Sequence, residues 1–466
     1  MTVQQQEPAS FRDPANQVFY VGDRVFRGLR GEAVEDWRAL AATGFFARMI
    51  EQGAICATEP AAPDDVPAGD FDLVLRHERI PFISYPYEWT FSMLRDAALL
   101  HLEILDAALS EKVITKDGSA YNLQWRGAQP TFIDIGSFER LREGEPWAGY
   151  RQFCQTMLYP LLLQSHLGVD FQPWMRAAID GIEPAQMRRM FTGGRRFKAG
   201  VFKHVHLHDA LQTRLAPKSA RDMRSELASA GFSTELVVAT VRALRKLVTK
   251  LDWQPPASHW GGYRQTCSYS DDDAQAKQAF VDRALSAAGE LDLVLDLGAN
   301  DGAYARLAAR HAAQVVAVES DHAVTDVLYR QLRDAGEQRV LPLVMDLANP
   351  SPGGGWRSVE RAAFGDRADA DVVLALALVH HLAIGRNVPL PEVLDWLAGL
   401  GRRLVIEFVD PEDPMAQRLL ANKPAGMFDG YRREVFERLL AERFTVAHQE
   451  ELPSGTRALY VGVPRG

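Results

Sequence analysis

Residues 293–310 read LVLDLGANDGAYARLAAR, and this stretch decides the fold of the C-terminal half of the chain. The short apolar run at 293–297 predicts a buried strand, and the apolar spacing after Gly302 predicts a helix. Ligands of open α/β sheets bind at the carboxyl ends of strands, where a turn of this kind lies. Gly298 lets the backbone turn tightly and approach a ligand closely.

Strands and helices alternate around this stretch. We predict helices over 275–288, 302–311, 322–335, 391–400 and 430–442, and strands over 292–297, 314–318, 339–345, 371–376, 402–408, 444–450 and 457–463. Alternation of this kind indicates a parallel sheet covered by helices on both faces. The last two strands are joined by a short turn, so one of them must run antiparallel to the rest. The expectation is an α/β fold with a Rossmann-like, seven-stranded sheet.

The residues of the central turn distinguish two kinds of nucleotide site. A dinucleotide-binding turn has glycines where this chain has Gly298, Asn300 and Ala303, so a pyrophosphate would lack its usual binding turn. S-adenosylmethionine (SAM) has no phosphate, and Asp296 can meet the ammonium group of its methionine part. We therefore expect the spaced residues Asp296, Gly298, Asn300 and Gly302 to bind SAM.

The next two predicted strands also end in acids. The segment QVVAVES (314–320) ends near Glu319, whose carboxylate can accept both ribose hydroxyls. The segment VLPLVMDLANP (340–350) places Asp346 to accept the adenine amino group, with Leu347 beside the ring. Three acids at three successive strand ends form a stronger pattern than any single motif, although three unrelated loop acids are the alternative.

The fourth and fifth strands supply the candidate catalytic residues. The segment 371–390 carries adjacent His380 and His381, and histidine is the usual base near neutral pH. Either could take a proton from the acceptor; the alternative is that they hydrogen-bond loop backbone. Glu407 in the next strand could bind a cationic acceptor or order the histidine pair, and a solvated loop acid is the alternative. Asn387 fits a turn better than a substrate contact.

Between strands three and four, NPSPGGGWRSVER (349–361) is a glycine-rich segment that contains Trp356. We expect it to close over the site and exclude water, which favours group transfer. The expected reaction is an in-line displacement in which the protein mainly positions donor and acceptor about 3 Å apart. No metal is required.

Residues 253–466 resemble class I SAM-dependent methyltransferases, and more closely a bacterial group related to a rhizobial nodulation protein. The resemblance rests on four strings: DLGANDG (296–302), LPLVMDLANPSP (341–352), ALALVHHLAIGRNVPL (375–390) and VIEFVDPEDPMAQRLLANK (405–423). It implies the fold, SAM as the cofactor, and contacts with it from Asp296, Gly298, Glu319 and Asp346.

The upstream string SHWGGYRQTCSYSDDD (258–273) also resembles that group. The resemblance implies that Tyr263 or Tyr269 covers the cofactor. Asn300 departs from the glycine that is common in the superfamily.

The N-terminal half, residues 1–215, is expected to be an α+β domain. Asp117 and Asn122 have the spacing of a kinase catalytic loop, and the triplet at 134–136 stands where a metal-binding Asp-Phe-Gly would. This half is therefore similar in outline to kinase-like phosphotransferases. It lacks the His-Arg before Asp117, a phosphate-binding glycine loop and a clear lysine strand; Arg27 is the nearest basic candidate. A turn built from Asp and Asn is the alternative.

Three alternating histidines, His204, His206 and His208, would share one face if they lay on a strand. Such a face could bind a metal. No fourth ligand is evident, so an exposed strand face is the favoured interpretation and no metal site is predicted.

Length and composition frame these expectations. A chain of 466 residues predicts more than one domain, and we place a helical connector at 216–252 between the two halves. The net charge of −9 argues against general nucleic-acid binding. Three cysteines far apart in sequence, no signal peptide and no long apolar run predict a soluble cytoplasmic protein without a membrane partner.

Three functions follow from this pattern. The first is a SAM-dependent methyltransferase acting on O or N of a small molecule. The second is a protein or peptide methyltransferase that docks its substrate through the N-terminal domain. The third is a non-catalytic SAM-binding or kinase-like scaffold, which retention of all three acids disfavours. Association into a homo-oligomer stays open.

Overall fold

The computed structural model describes residues 4–62, 69–210, 233–255 and 270–465. The chain forms two compact units. The first consists of Met1–Trp125, Pro130–Gln254 and Gly354–Arg361, and the second of Arg126–Gln129, Pro255–Gly353 and Ala362–Gly466.

The first unit contains a five-stranded antiparallel sheet with the order β1-β2-β3-β5-β4. Its strands are β1 (Gln4–Gln6), β2 (Asn16–Val21), β3 (Arg24–Leu29), β4 (Thr58–Pro60) and β5 (Leu73–His77). Two short pairs, β6 with β9 and β7 with β8, follow: β6 (Val113–Thr115), β7 (Leu123–Arg126), β8 (Gln129–Phe132) and β9 (Phe138–Arg140). Strands β2 and β3 form a hairpin at Gly22, which has a φ of 60°, a value that L side chains adopt rarely.

Helices make up the rest of the first unit. They are α1 (Glu32–Ala41), α2 (Gly44–Glu51), α3 (Phe91–Ser110), α4 (Tyr150–Phe153), α5 (Tyr159–Leu167), α6 (Gln172–Ala177), α7 (Pro184–Met190) and α8 (Thr234–Lys250). Residues 42–43 separate α1 from α2. Helix α8 belongs to the first unit, and residues 216–232 of the expected connector lie outside the described residues.

The prediction of a strand through the three histidines is wrong. Residues Phe202–Leu207 form a π-helical turn, in which alternate residues do not share a face. The Nδ1 atoms of His204 and His208 lie 2.7 and 2.8 Å from the hydroxyls of Tyr150 and Tyr159, so these rings take part in hydrogen bonds inside the unit. Among the described residues, no group of three or more acids, histidines or cysteines could hold a metal ion.

The second unit contains a seven-stranded sheet with the order β12-β11-β10-β13-β14-β16-β15. Its strands are β10 (Leu291–Leu297), β11 (Ala312–Glu319), β12 (Val340–Val344), β13 (Val372–Ala375), β14 (Leu404–Val409), β15 (Phe444–Glu451) and β16 (Arg457–Pro464). Strands β10 to β14 pair in parallel, and β16 runs antiparallel to both of its neighbours. The predicted sheet, with one reversed strand near the end, is confirmed.

Burial explains why these segments are strands. Every residue of β12, β13 and β14 is buried, as expected for parallel strands that helices cover on both faces. The covering helices are α9 (Asp271–Ser286), α10 (Ala303–Ala308), α11 (His322–Asp334), α12 (Phe364–Arg367), α13 (Leu390–Ala398), α14 (Pro414–Leu420) and α15 (Arg433–Arg443). Asp321 caps α11, because its side chain accepts from the amides of Ala323 and Val324.

No helix in the described part of the chain is long and apolar enough to cross a membrane.

Candidate active site

A cavity of about 1000 Å³ lies in the second unit, where strands β10 to β13 end. Seven of the predicted site residues line it: Asp296, Gly298, Asn300, Glu319, Asp346, Leu347 and His381. Gly302, His380 and Glu407 are not among its lining residues, and Tyr269 lies outside the described residues. The strand ends of one unit thus bring together residues that are up to about ninety positions apart in sequence.

Backbone conformation explains the residues of the turn after β10. Gly298, Asn300 and Gly302 have φ values of 83°, 47° and 76°, all in the left-handed region. Asparagine tolerates this conformation better than most residues, which is why it can stand where related sites have glycine. At Gly302 an added Cβ would also lie 2.6 Å from the side chain of Leu328. Gly302 therefore shapes the start of α10 without lining the cavity.

Asp296 is a buried acid in the wall of the cavity, at the end of β10. Its side chain is 2% exposed, and its Oδ2 atom has no hydrogen-bond partner among the described residues. Burial raises the pKa of Asp296 to about 7, although the charge of nearby Lys277 opposes this shift. A buried, unpaired carboxylate oxygen fits a cationic ligand group, because such a group would supply the missing partner.

Glu319, at the end of β11, is fixed by backbone amides. Its Oε1 accepts from the amides of Ser320 and Asp321 at 2.6 and 2.9 Å, and its Oε2 accepts from the amide of Asn300 at 3.1 Å. The carboxylate therefore connects the end of one strand to the turn that follows the neighbouring strand.

Asp346 follows β12 and forms an ion pair with Arg386, which also lines the cavity. The Oδ1 of Asp346 accepts from the amide of Ala348 at 3.0 Å. The arginine was not predicted from the sequence as a site residue. It orients the carboxylate, which remains 39% exposed and accessible to a ligand.

The two histidines differ in their access to the cavity. His381 lines it, whereas His380 is fully buried and neither of its ring nitrogens has a hydrogen-bond partner among the described residues. Burial, with a contribution from the charge of Arg457, lowers the pKa of His381 to about 4. Burial holds the pKa of His380 well below its usual value. Both rings are therefore neutral at pH 7, and only His381 lies where a ligand can reach it.

Glu407 has a different environment from the one predicted. It is fully buried, its Oε2 lies 2.7 Å from Nζ of Lys277, and its Oε1 accepts from Nη1 of Arg457 at 3.1 Å. The predicted contact of Glu407 with an acceptor or with the histidine pair does not appear. Its position in the middle of β14 places it below the rim of the cavity.

Two further residues that the sequence analysis named, Asn387 and Trp356, do not line the cavity. Asn387 has a φ of 58° and its side chain accepts from Lys423 at 2.6 Å, so it is the turn residue that we expected. Residues Gly354–Arg361 belong to the first unit, and Trp356 is not among the residues that line the cavity. Tyr263 lies outside the described residues, like Tyr269.

The sequence of the whole chain is similar to that of nodulation protein NoeA from Rhizobium meliloti strain 1021. The two are 32% identical over 456 residues, which cover 97% of this chain and 94% of NoeA. This chain belongs to the NoeA family. The predicted relation to a rhizobial nodulation protein is thereby confirmed. No protein-family profile matches the sequence.

Solved methyltransferase structures resemble part of this NoeA-family protein at low identity. N-methyltransferase NodS from Bradyrhizobium japonicum WM9 aligns with a TM-score of 0.32 and 11% identity, covering 42% of this chain and 99% of NodS. Magnesium protoporphyrin IX methyltransferase ChlM from Synechocystis PCC 6803, with bound SAM, aligns with a TM-score of 0.30 and 16% identity, covering 46% and 86%.

Lys277 is a site residue that the sequence-based prediction missed. It lies in α9 of this NoeA-family protein, lines the cavity, and is 3% exposed. Its spacing from Phe280 and Val281 places it on the buried face of the helix, so helical periodicity could have revealed it. Because lysine is mostly exposed in proteins, the sequence pattern favoured a solvated side chain at this position.

The first unit of this family member brings together part of the kinase-like pattern. Nη2 of Arg27 lies 2.9 Å from Oδ1 of Asp134. Burial, together with the charge of Asp134, raises the pKa of Asp117 to about 6. Asn122 is buried and its Nδ2 has no hydrogen-bond partner among the described residues. The kinase-like interpretation stays a prediction.

Proposed function

We propose that this NoeA-family protein is a SAM-dependent methyltransferase that transfers a methyl group to O or N of a small-molecule acceptor. The observation on which this depends is the placement of three acids, Asp296, Glu319 and Asp346, around a single cavity at the ends of three adjacent parallel strands. Ligands of such sheets bind at this edge. The turn lacks the glycines that a pyrophosphate requires, which favours a nucleoside without phosphates.

The three acids fit the parts of SAM in the order of the strands. Asp296 would bind the ammonium group, Glu319 the ribose hydroxyls, and Asp346 with Leu347 the adenine. Glu319 is well suited to its role, since four donors at its own strand end and the neighbouring turn already hold its carboxylate in one orientation. A preorganised acceptor loses little conformational freedom when the ligand binds.

The chemistry requires positioning more than activation. SAM supplies a methyl group that is already activated by the sulfonium: as the acceptor's O or N forms its bond to the methyl carbon, the carbon–sulfur bond breaks and the neutral thioether S-adenosylhomocysteine leaves. The neutral ring of His381 lies in the cavity wall and would accept the proton that the acceptor's O–H or N–H releases. His380 and Glu407 have no place in this step, because neither lines the cavity.

The size of the cavity supports a small acceptor. About 1000 Å³ is at the upper end of the range for small-molecule sites, so an acceptor of modest size would fit beside SAM. A protein acceptor would instead need to present one side chain to the same cavity.

Calorimetry and methyl transfer test the proposal. We expect the purified full-length chain to bind SAM and its demethylated product S-adenosylhomocysteine (SAH), and not to bind NAD. With SAM labelled in the methyl group, label should then appear in the small-molecule fraction of a cell extract. Absence of SAM binding would refute the site. Label in the protein fraction alone would favour the docking alternative.

A further inference from the structure

One exposed surface of the first unit combines basic and apolar side chains. Helix α7, a 3₁₀ turn (Gly193–Phe197) and the π-helical turn (Phe202–Leu207) form it, and the π-helical turn packs against the other two elements. Positions 184–207 contain no acid and six basic residues, namely Arg188, Arg189, Arg195, Arg196, Lys198 and Lys203. Together with the exposed Phe197, Phe202 and Leu207, these six residues make up what we call the basic–apolar surface.

The cations of the basic–apolar surface have little compensation. All six are exposed, and among the described residues only Arg188 forms an ion pair, with Asp209 at 2.8 Å. The chain as a whole carries a net charge of −9, so this surface is opposite in sign to the protein that bears it. A local positive field of this kind attracts an anionic partner.

The apolar side chains of this surface are unusually exposed. Phe197, Phe202 and Leu207 are 69%, 57% and 47% exposed, and Phe197 is the most exposed large apolar side chain of the described residues. In the π-helical turn, His204 and Val205 are buried, so Phe202 and Leu207 lie on its outer side. Single exposed apolar residues are common, but a group of them on one surface is typical of an interaction site.

An anionic bilayer matches both properties of the basic–apolar surface. Lipid headgroups offer negative charge to Lys and Arg, and the boundary beneath the headgroups takes up Phe and Leu side chains. A nucleic acid would satisfy the cations, but its phosphates and base edges offer little apolar surface for a leucine. The guanidinium group of Arg196 lies 4.6 Å from the centre of the Phe197 ring, so a cation accompanies the side chain that would enter the boundary.

We propose that the basic–apolar surface binds an anionic membrane, with Phe197, Phe202 and Leu207 inserted among the lipids and the six cations on the headgroups. A protein bound in this way lies on the bilayer and needs no segment that spans it. The prediction of a protein without a membrane partner rested partly on the lack of a long apolar run, and such a run is needed only for spanning.

Flotation of the full-length chain with lipid vesicles tests the proposal. We expect binding to vesicles of equal parts phosphatidylglycerol and phosphatidylcholine, and none to phosphatidylcholine alone. The combined variant Arg195→Gln, Arg196→Gln and Lys198→Gln should bind the mixed vesicles about 100-fold more weakly, because each basic side chain near such a surface contributes a factor of about five.

A matched control removes the same charge elsewhere. Arg310, Arg418 and Arg432 are exposed cations of the second unit. Changing all three to Gln alters the net charge by the same amount and should leave vesicle binding nearly unchanged. Equal weakening in the two combined variants would show that only net charge matters, and would overturn the proposal.

A second variant isolates the apolar part of the surface. Phe197→Ser combined with Phe202→Ser keeps every charge, and because both side chains are exposed it should keep the melting temperature of the wild type. We expect it to lose the part of vesicle binding that persists in high salt, since salt screens charges but does not weaken apolar insertion.

The wild type alone can also refute the membrane assignment. Failure to bind the mixed vesicles would overturn it. Tighter binding to a single-stranded oligonucleotide than to these vesicles would assign the surface to nucleic acid instead. A dimer in sedimentation that Phe197→Ser with Phe202→Ser dissociates, without any vesicle binding, would assign the surface to a second copy of this chain.

Discussion

The carboxylate of Glu319 accepts a hydrogen bond from the backbone amide of Asn300, with 3.1 Å between Oε2 and N. The residue that we assign to the ribose therefore also holds the turn that follows β10. Ligand contact and turn geometry are coupled through one side chain, because the carboxylate has two oxygens and each accepts from a different segment.

This coupling makes Glu319→Ala informative. We expect the variant to lose detectable SAM binding by calorimetry and to have a lower melting temperature, since the amides of Ser320 and Asp321 lose their acceptor. Asp371→Ala is the matched control. Asp371 also accepts from two amides, those of Asp292 and Leu293, but at the opposite end of the strands. It should destabilise the protein comparably while SAM affinity persists; equal loss of affinity in both variants would contradict the site.

The pKa of Asp296 predicts how SAM affinity depends on pH. With a pKa raised to about 7 by burial, this carboxyl group is mostly protonated at pH 6 and mostly ionised at pH 8. Only the ionised form attracts the cationic groups of SAM, so affinity should rise with pH through about 7 and then level off. Calorimetry between pH 5.5 and 8.5, a span of roughly 1.5 pH units on either side of this pKa, measures the profile.

Asp296→Asn is the variant that checks the origin of this profile. It cannot ionise, so it should bind SAM weakly and show no rise in affinity around pH 7. A rise of unchanged size in the variant would assign the titration to another group. His381 cannot produce it, because its pKa is lowered to about 4.

The two histidines should respond differently to substitution. His381→Ala should leave SAM affinity intact but slow methyl transfer by roughly 100-fold, the usual contribution of a general base. His380→Ala should mainly lower stability, since it removes a fully buried ring behind the cavity. Single-turnover transfer of labelled methyl, together with thermal melting, distinguishes the two effects. Normal transfer in His381→Ala would reduce this residue to a structural role.

The buried ion pairs predict a large effect on stability. Arg457 lies 3.1 Å from Glu407 and 2.8 Å from Asp413, and all three side chains are at most 2% exposed. Arg457→Met would leave both carboxylates buried with less compensation, which typically costs about 3–5 kcal/mol. Arg283→Met is the control: Arg283 pairs with Glu450 at 2.6 Å but is 57% exposed, and such pairs contribute about 0–1 kcal/mol. Urea unfolding monitored by circular dichroism gives both values. Similar losses of unfolding free energy for the two variants would show that the buried ion pairs contribute no more to stability than the exposed pair does.

The sequence predicted the second unit better than the first. Long apolar strands separated by amphipathic helices are local patterns, and β10 to β16 lie where those patterns indicate. In the first unit, short strands and half-buried helices leave weaker periodicity. For this reason the break at residues 42–43 and the π-helical turn through His204 were not predicted.

By itself, the sequence determined the sheet and placed the three acids Asp296, Glu319 and Asp346 at one edge of it, because residues at the ends of neighbouring parallel strands must lie at the ligand-binding edge. Which polar residues face the cavity was decided only by the tertiary structure. Glu407 and Lys277 meet because β14 and α9 pack together. The rings of His380 and His381 lie 4.1 Å apart between their centres, yet only His381 lines the cavity, because His380 is fully buried. Burial and ion pairing depend on packing between distant segments, and no local pattern encodes those partners.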